Sequence, residues 1–215
     1  MTVVGLLAGI GIREYAFHYR TTSEDPPFWT LSKSQWLVPA LTSFLFACVS
    51  AAGIGIWATV ALSVLVIGLV TLSVIDFECL VLPDNITIPG IWVGLGLSTT
   101  NLFTDAASSI LGAIIGYVTL ALMNLAARLV WKRDGIGGGD WKLLALLGAW
   151  FGWQSLPVTL ISSVILGALV GMFLLVARKH KLSVPMPFGP FIVLGGLISL
   201  FWGEKITTWC LTMWW

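Results

Sequence analysis

Long stretches without Asp, Glu, Lys or Arg constrain the fold of this chain more than any other feature. Five such stretches cover residues 34–75, 85–104, 106–127, 143–177 and 182–203. A helix needs about 20 mainly apolar residues to cross a bilayer, so each stretch can hold at least one crossing. Because 58% of the residues are hydrophobic and only 10% are charged, with a mean hydropathy of +0.97, an ordinary soluble domain is excluded.

The longest two stretches are expected to form two helices each. At about 20 residues per crossing, the break falls near Ala51–Gly55 in the first and near Gly152–Pro157 in the second. The apolar segment Thr2–Ile12, extended by residues 15–17, adds a helix at the N-terminus. The sequence therefore predicts an all-α integral membrane protein, with residues 1–215 forming one polytopic domain of about eight transmembrane helices.

Charge placement predicts the orientation of these helices. The N-terminal segment could be a signal peptide, but its basic residues follow the apolar part, so we interpret it as a retained helix with its N-terminus outside. Ten of the eleven Lys and Arg residues then fall in inside loops, and only Lys205 lies outside. Those loops cover roughly residues 13–33, 76–84, 128–142 and 178–187. The positive-inside rule favours this topology, which includes a cytoplasmic loop over residues 18–35.

Acidic residues at the ends of apolar stretches are the candidate functional groups. Asp76 ends one long apolar run, and Asp140 stands between a run of glycines and another. The predicted topology places both carboxylates at the cytoplasmic boundary. Two close carboxylates share a proton, so one can activate water as a base while the other acts as an acid. The pair predicts aspartyl peptide hydrolysis, without assigning the base to either residue.

The glycines before Asp140 favour a site for an extended substrate. Gly137, Gly138 and Gly139 permit close approach of another chain, and irregular backbone at membrane depth is tolerated where it lines a cavity. The alternative is that these glycines end one helix and that Asp140 is the N-cap of the next. Glu78 and Asp84 lie in the same predicted loop as Asp76 and could attract a basic substrate, although Asp84 also suits a helix start.

Two other classes of ligand are disfavoured. The isolated Cys and His residues lack the spacing of a zinc site, so no metal is expected. The net charge of +1 and the scattered basic residues do not form a nucleic-acid footprint.

Three segments resemble the signature blocks of bacterial type IV prepilin peptidases, the membrane aspartyl proteases of the GxGD class. The segments are IDFECLVLPDNITIPGIWVGL, GIGGGDWKLLALLGAWFGWQSLP and PMPFGPFIVLGG, and the resemblance covers about residues 60–205. It implies that Asp76 and Asp140 are catalytic. It also implies supporting or substrate-binding roles for a wider set of residues: Gly137, Gly138, Gly139, Glu78, Asp84, Lys142, Pro187, Phe188, Gly189 and Pro190. The last four form a stiff entry to the final helix, although prolines also suit a plain helix start.

The resemblance further implies the substrate, the compartment and a second activity. The substrate would be a prepilin or pseudopilin with a short basic leader ending in glycine, cleaved at the bacterial inner membrane. Proteolysis would need no cofactor. Many members of this family also methylate the new N-terminus with S-adenosylmethionine and carry paired CxxC motifs between the first two helices. This chain has only a short loop there, so methylation, and with it S-adenosylmethionine, is not assigned.

Three alternatives come from other functional classes. A proton or cation transporter would place acids near the middle of its helices and show inverted repeats, whereas these acids lie at span ends. A non-catalytic assembly component of a pilus or secretion system would tolerate Asp→Asn changes. A related GxGD protease acting on other membrane segments would share the two aspartates.

Overall fold

The described part of the chain is almost entirely helical. The computed structural model describes residues 2–20, 37–51, 53–132, 137–176 and 186–213. Within these ranges it contains eight α-helices, one 3-10 helix over Trp153–Ser155 and no strand, which confirms the all-α prediction. The α-helices are α1 (Thr2–Arg20), α2 (Leu37–Ala51), α3 (Ile56–Cys79), α4 (Asp84–Ser98), α5 (Ala106–Trp131), α6 (Gly138–Phe151), α7 (Leu156–Val176) and α8 (Gly189–Thr212).

Glycines with positive φ produce the two predicted helix breaks. Gly53 (φ 65°) and Gly55 (φ 87°) separate α2 from α3, and Gly152 (φ 78°) follows α6. Side chains other than glycine adopt these backbone angles only with strain. Both predicted breaks within the long apolar stretches are therefore confirmed.

Three of the described helices are long and apolar enough to cross a membrane. They cover Ile56–Cys79, Ala106–Val130 and Trp153–Val176, while shorter apolar segments occupy Val3–Ile12, Val38–Ala51 and Gly189–Gly203. An integral membrane protein is thus supported. The full set of about eight crossings stays a prediction.

Several predicted boundaries differ in the structure or lie outside its described residues. Helix α4 ends at Ser98 although the charge-free stretch runs to residue 104, because Ser98, Thr99 and Thr100 donate their hydroxyls to carbonyls three residues earlier. Residues 18–20 of the predicted cytoplasmic loop belong to the end of α1. The remainder of that loop, and residues 133–136 and 178–185 of two other predicted inside loops, lie outside the described residues.

The chain divides into two compact units, residues 1–82 and 83–215. In the first unit α1, α2 and α3 pack together. Gly5 lies against Ser43 and Gly9 against Pro39, so α1 and α2 run antiparallel. Thr42 donates its hydroxyl to the Gly5 carbonyl oxygen at 2.8 Å, which joins the two helices at their crossing. That all 215 residues form one membrane domain stays a prediction.

In the second unit, helix α6 is enclosed by other helices. All residues from Leu143 to Trp150 are buried, without the polar face of a surface helix. Helices α4, α5, α7 and α8 all contact it. The apolar sequence after Asp140 thus reflects burial on every side.

Small residues let the neighbouring helices approach α6 closely. A Cβ atom at Gly112 of α5 would collide with the Gly148 carbonyl, and one at Gly116 would lie 2.7 Å from the Leu144 carbonyl oxygen. Ser109 donates its hydroxyl to the Ala149 carbonyl oxygen at 2.5 Å. Helices in membranes associate through such close packing and interhelical hydrogen bonds.

Contacts between residues of α4, α6 and α8 show which ends of these helices lie together in the second unit. Gly90 and Gly94 of α4 meet Leu146 and Trp150 of α6, so these helices are parallel. The Trp150 indole N–H donates to the Gly90 carbonyl oxygen at 2.9 Å. Gly196 of α8 meets Leu147, and Ser199 of α8 bonds to Ser155 beyond the end of α6, so α8 is also parallel to α6. The N-terminal ends of α4, α6 and α8 therefore share one end of the unit.

Candidate active site

Asp76 lies in the last turn of α3, within the first unit. Its side chain is 5% exposed, and its carbonyl oxygen accepts the backbone N–H of Leu80 at 2.9 Å. Leu80 adopts a left-handed conformation (φ 55°), which is uncommon for a residue other than glycine. The chain therefore turns sharply away from α3 immediately after the candidate carboxylate.

Asp140 lies in the first turn of α6, within the second unit. It is 7% exposed, and its backbone N–H donates to the Gly137 carbonyl oxygen at 3.1 Å. The N-cap of α6 is Gly137, so the alternative of Asp140 as the N-cap is wrong: the helix begins earlier because Gly138 and Gly139 adopt helical geometry. Asp140 is therefore the third residue of α6, a buried carboxylate within the first helical turn.

The glycine segment leaves room beside Asp140. A Cβ atom at Gly138 would meet open space, and one at Gly137 would lie 3.4 Å from Oδ2 of Asp140. Gly137 is extended (φ −64°, ψ 142°), whereas Gly138 and Gly139 are the first helical residues. The structure thus confines the irregular backbone to Gly137 among these three glycines.

An ion pair joins two of the predicted supporting residues. The Lys142 Nζ atom lies 2.5 Å from Oδ1 of Asp84. Asp84 is the first residue of α4, two residues before the predicted start near Ile86, and Lys142 is in the first turns of α6. The contact fixes the start of α4 beside the start of α6, although a partly exposed pair contributes only about 0–1 kcal/mol.

The predicted Pro–Phe–Gly–Pro entry does begin the last helix. Gly189 and Pro190 are the first residues of α8, and the Phe188 carbonyl oxygen accepts the N–H groups of Phe191 and Ile192. Both aromatic rings lie near Gly167 of α7. Pro187 is buried and Phe188 half-buried. The segment stiffens the start of α8, and its contribution to a substrate groove stays a prediction.

The predicted site residues are divided between the two units. Glu78 is buried in the last turn of α3, two residues after Asp76. Asp76 and Glu78 belong to the first unit, whereas Asp84, Asp140, Lys142 and Gly189 lie at one end of the second. The pairing of Asp76 with Asp140 stays a prediction.

Sequence reasoning gave no role to Trp141, which directly follows Asp140. Its ring packs edge-to-face on Tyr117 of α5, with 5.7 Å between ring centroids. Its buried Nε1 atom finds no acceptor within the described parts of the chain. A tryptophan in the first turns of the helix, ahead of the aliphatic segment 143–147, is the signal that could have marked this contact.

Each unit thus carries a buried aspartate at one end of an apolar helix, in a chain with three helices long enough to cross a membrane. Residues 63–172 match the type IV leader peptidase family, and the chain belongs to that family. A protein of Aeromonas hydrophila named prepilin leader peptidase/N-methyltransferase is 41% identical over 176 residues, covering 82% of this chain and 61% of that protein. Proteins of the same name from Pseudomonas putida (44% over 138 residues; 64% and 48% coverage) and Pseudomonas aeruginosa (40% over 151 residues; 70% and 52%) are also similar.

The matched region covers only part of these relatives. The chain spans 61% of the length of the Aeromonas hydrophila protein and about half of the two Pseudomonas proteins. No solved structure matches the chain.

Proposed function

We propose that this protein is a membrane aspartyl endopeptidase that removes the short basic leader of a type IV prepilin or pseudopilin. The observation that carries the proposal is the buried Asp140 at the start of an enclosed helix, two residues after Gly138, where a Cβ atom would meet open space. A buried carboxylate in a membrane protein is costly to maintain and marks a functional site by default. Membership in the leader peptidase family supports the same reaction.

In the proposed mechanism Asp76 and Asp140 act as one dyad. One carboxylate removes a proton from a water molecule, whose oxygen attacks the carbonyl carbon of the scissile bond. The other carboxylic acid donates its proton to the carbonyl oxygen and so stabilises the tetrahedral intermediate. A proton then passes to the leaving amine, the C–N bond breaks, and the dyad returns to its starting state with one shared proton.

The helix ends suggest how the two roles are divided. Asp140 lies in the first turn of α6, where the helix dipole favours a negative charge, whereas Asp76 lies in the last turn of α3, where it disfavours one. We therefore assign the water-activating carboxylate to Asp140 and the proton donor to Asp76.

The substrate would lie extended along the start of α6. A glycine at the cleavage position has no side chain to collide with the backbone near Gly137 and Gly138, and the open space at Gly138 can accommodate its main chain. The acidic side chains of Glu78 and Asp84 would attract the basic leader. The leader would then stay on the cytoplasmic side of the bacterial inner membrane, with the hydrophobic part of the substrate in the bilayer.

The described residues give weaker support to methyl transfer. S-adenosylmethionine carries a carboxylate that a buried cation would hold well, yet the buried charged side chains in the described ranges, Asp76, Glu78 and Asp140, are all acidic. These acidic side chains suit the ammonium and sulfonium groups of the cofactor but not its carboxylate. Leader cleavage is therefore the proposed function, and the mass measurement below also reports methylation.

Intact mass of a co-expressed prepilin tests the proposal. The protein should shorten the substrate by its leader, and the Asp140→Asn variant should leave it whole while still entering the membrane. A mass increase of one methyl group on the shortened product would show that methylation also occurs. An uncut substrate with the unmutated protein, across a panel of prepilins, would favour a transporter or a non-catalytic assembly component instead.

A further inference from the structure

A cavity of about 750 Å³ lies at the end of the second unit opposite Asp140. The α4–α5 connection, the α6–α7 turn and the later part of α8 line it. Asp140 and Phe151 are separated by the length of α6, about 16 Å at 1.5 Å per residue, so this cavity is separate from the candidate active site. Its lining is rich in polar side chains, among them Gln154, Ser199, Lys205 and Thr208.

An apolar groove of about 470 Å³ adjoins this cavity at Lys205. Its other lining residues are Ile198, Trp202, Ile206 and Trp209, which follow one face of α8. Both tryptophans are largely exposed, at 53% and 60%. Lys205 therefore stands where a polar cavity meets an apolar groove, between two exposed indole rings.

Lys205 supplies the charge at this junction. No carboxylate whose side chain the structure describes forms an ion pair with Lys205. Asp105 also lines the cavity, but its carboxylate already accepts the Ser108 N–H at 3.0 Å as the N-cap of α5. Among the described lining residues of the cavity and the groove, Lys205 is the one cation.

We propose that this surface binds a phospholipid, with the phosphate at Lys205 and an acyl chain along the Ile198–Trp209 groove. A lysine ammonium is a compact partner for phosphate, and exposed tryptophans favour the level of the lipid headgroups. A free phosphate ion would not use the groove, and an uncharged lipid would not use the cation. The site is independent of the proposed peptidase activity.

Lipid binding to the purified protein in detergent tests this site. Native mass spectrometry would give the apparent Kd of dioleoylphosphatidylglycerol for the unmutated protein, Lys205→Gln and Trp202→Ala. We expect each variant to bind at least fivefold more weakly. Lys132→Gln, the same replacement at an exposed position at the other end of the unit, should bind as tightly as the unmutated protein.

Two further ligands test whether the site recognises the phosphate, the acyl chains or both. Diolein keeps the chains without the phosphate, and glycerol 3-phosphate keeps the phosphate without the chains; both should bind at least tenfold more weakly than the phospholipid. Equal affinity of Lys205→Gln and the unmutated protein would overturn the proposal, as would tight binding of glycerol 3-phosphate alone. Because Lys205 is exposed, the variant should show an unchanged melting temperature without lipid, which separates lost binding from misfolding.

Discussion

Asp140 and Gly138 are the two residues of the candidate site whose roles single substitutions can test most directly. Asp140 is a buried carboxylate in the first turn of α6, and a Cβ atom at Gly138 would meet open space. Substitutions at these two positions are therefore expected to change activity much more than stability.

Replacing Asp76 or Asp140 by Asn should reduce the rate of prepilin cleavage by about 10²–10⁴-fold, the usual contribution of a general acid or base. If Asp76 is the proton donor, its neutral Asn substitute can still donate a hydrogen bond to the carbonyl oxygen. Asp76→Asn should therefore keep more residual activity than Asp140→Asn. The cleavage rate of purified variants measures this difference, and full activity in both would contradict the dyad.

Gly138→Ala should lower kcat/KM for a prepilin about tenfold, because the added methyl group occupies the space assigned to the substrate backbone. Its melting temperature should stay equal or rise, since alanine favours a helix by about 1 kcal/mol over glycine. Gly96→Ala is the matched control, because its Cβ atom would also meet open space but lies on α4. Equal activity of the Gly138→Ala and Gly96→Ala variants would mean that the substrate does not bind at Gly138.

Lys142→Gln should change the free energy of unfolding by no more than about 1 kcal/mol, because Lys142 and Asp84 are 32% and 52% exposed. If the pair fixes the start of α6 for catalysis, each single change should lower kcat. The double variant Asp84→Lys/Lys142→Asp should restore part of it. A swap no better than the single variants would mean that the pair has no positioning role.

At the level of the helices, the sequence predicted where the long apolar stretches divide into two helices, but it did not predict where each helix ends. The breaks at Gly53–Gly55 and Gly152 follow from the length of the apolar stretches and coincide with glycines of positive φ. The end of α4 depends on hydroxyl groups that bond to their own helix, which a charge-free interval does not reveal. Likewise, the Asp84–Lys142 contact joins residues 58 positions apart, so only helix packing brings it about.

Gly112→Ala should destabilise the second unit by about 1–3 kcal/mol, the usual cost of overpacking, because the new Cβ atom meets the Gly148 backbone carbonyl. The carbonyl cannot move without displacing α6. Thermal unfolding in detergent measures the effect against Gly96→Ala. An unchanged melting temperature would mean that α5 and α6 are not in the close contact described.

The cap of α5 should respond to pH. Hydrogen bonds from the Ser108 side chain and backbone lower the pKa of Asp105 below 3.8. A lowered pKa means that the cap stabilises the fold at neutral pH, and that this stability is lost as pH falls below 3.8 through the folded-state pKa. Asp105→Ala should lower the melting temperature at pH 7. The difference from the unmutated protein should shrink below pH 3.8; a constant difference would contradict the ionised cap.

On the scale of the whole molecule, the positive-inside rule predicts which end of the second unit faces the cytoplasm. In the second unit Lys132 and Lys142 lie at the end that carries Asp140, and Lys205 lies at the other. Alkaline phosphatase fused after Phe103 should therefore be active, because that connection is predicted to face outside. The same enzyme fused after Lys132 should be inactive, and the reverse result would invert the proposed orientation.

The enclosure of α6 has a consequence for how this protein tolerates change. Every position from Leu143 to Trp150 is buried, whereas only 22% of the apolar window of α5 and 17% of that of α7 are buried. Most side chains on those two helices are exposed, and in a bilayer they would contact lipid, where one apolar residue replaces another at little cost. A saturation library should therefore accept many apolar exchanges along α5 and α7 but few along α6. The tract after Asp140 would change slowly over generations because of its neighbours, even where it touches no substrate.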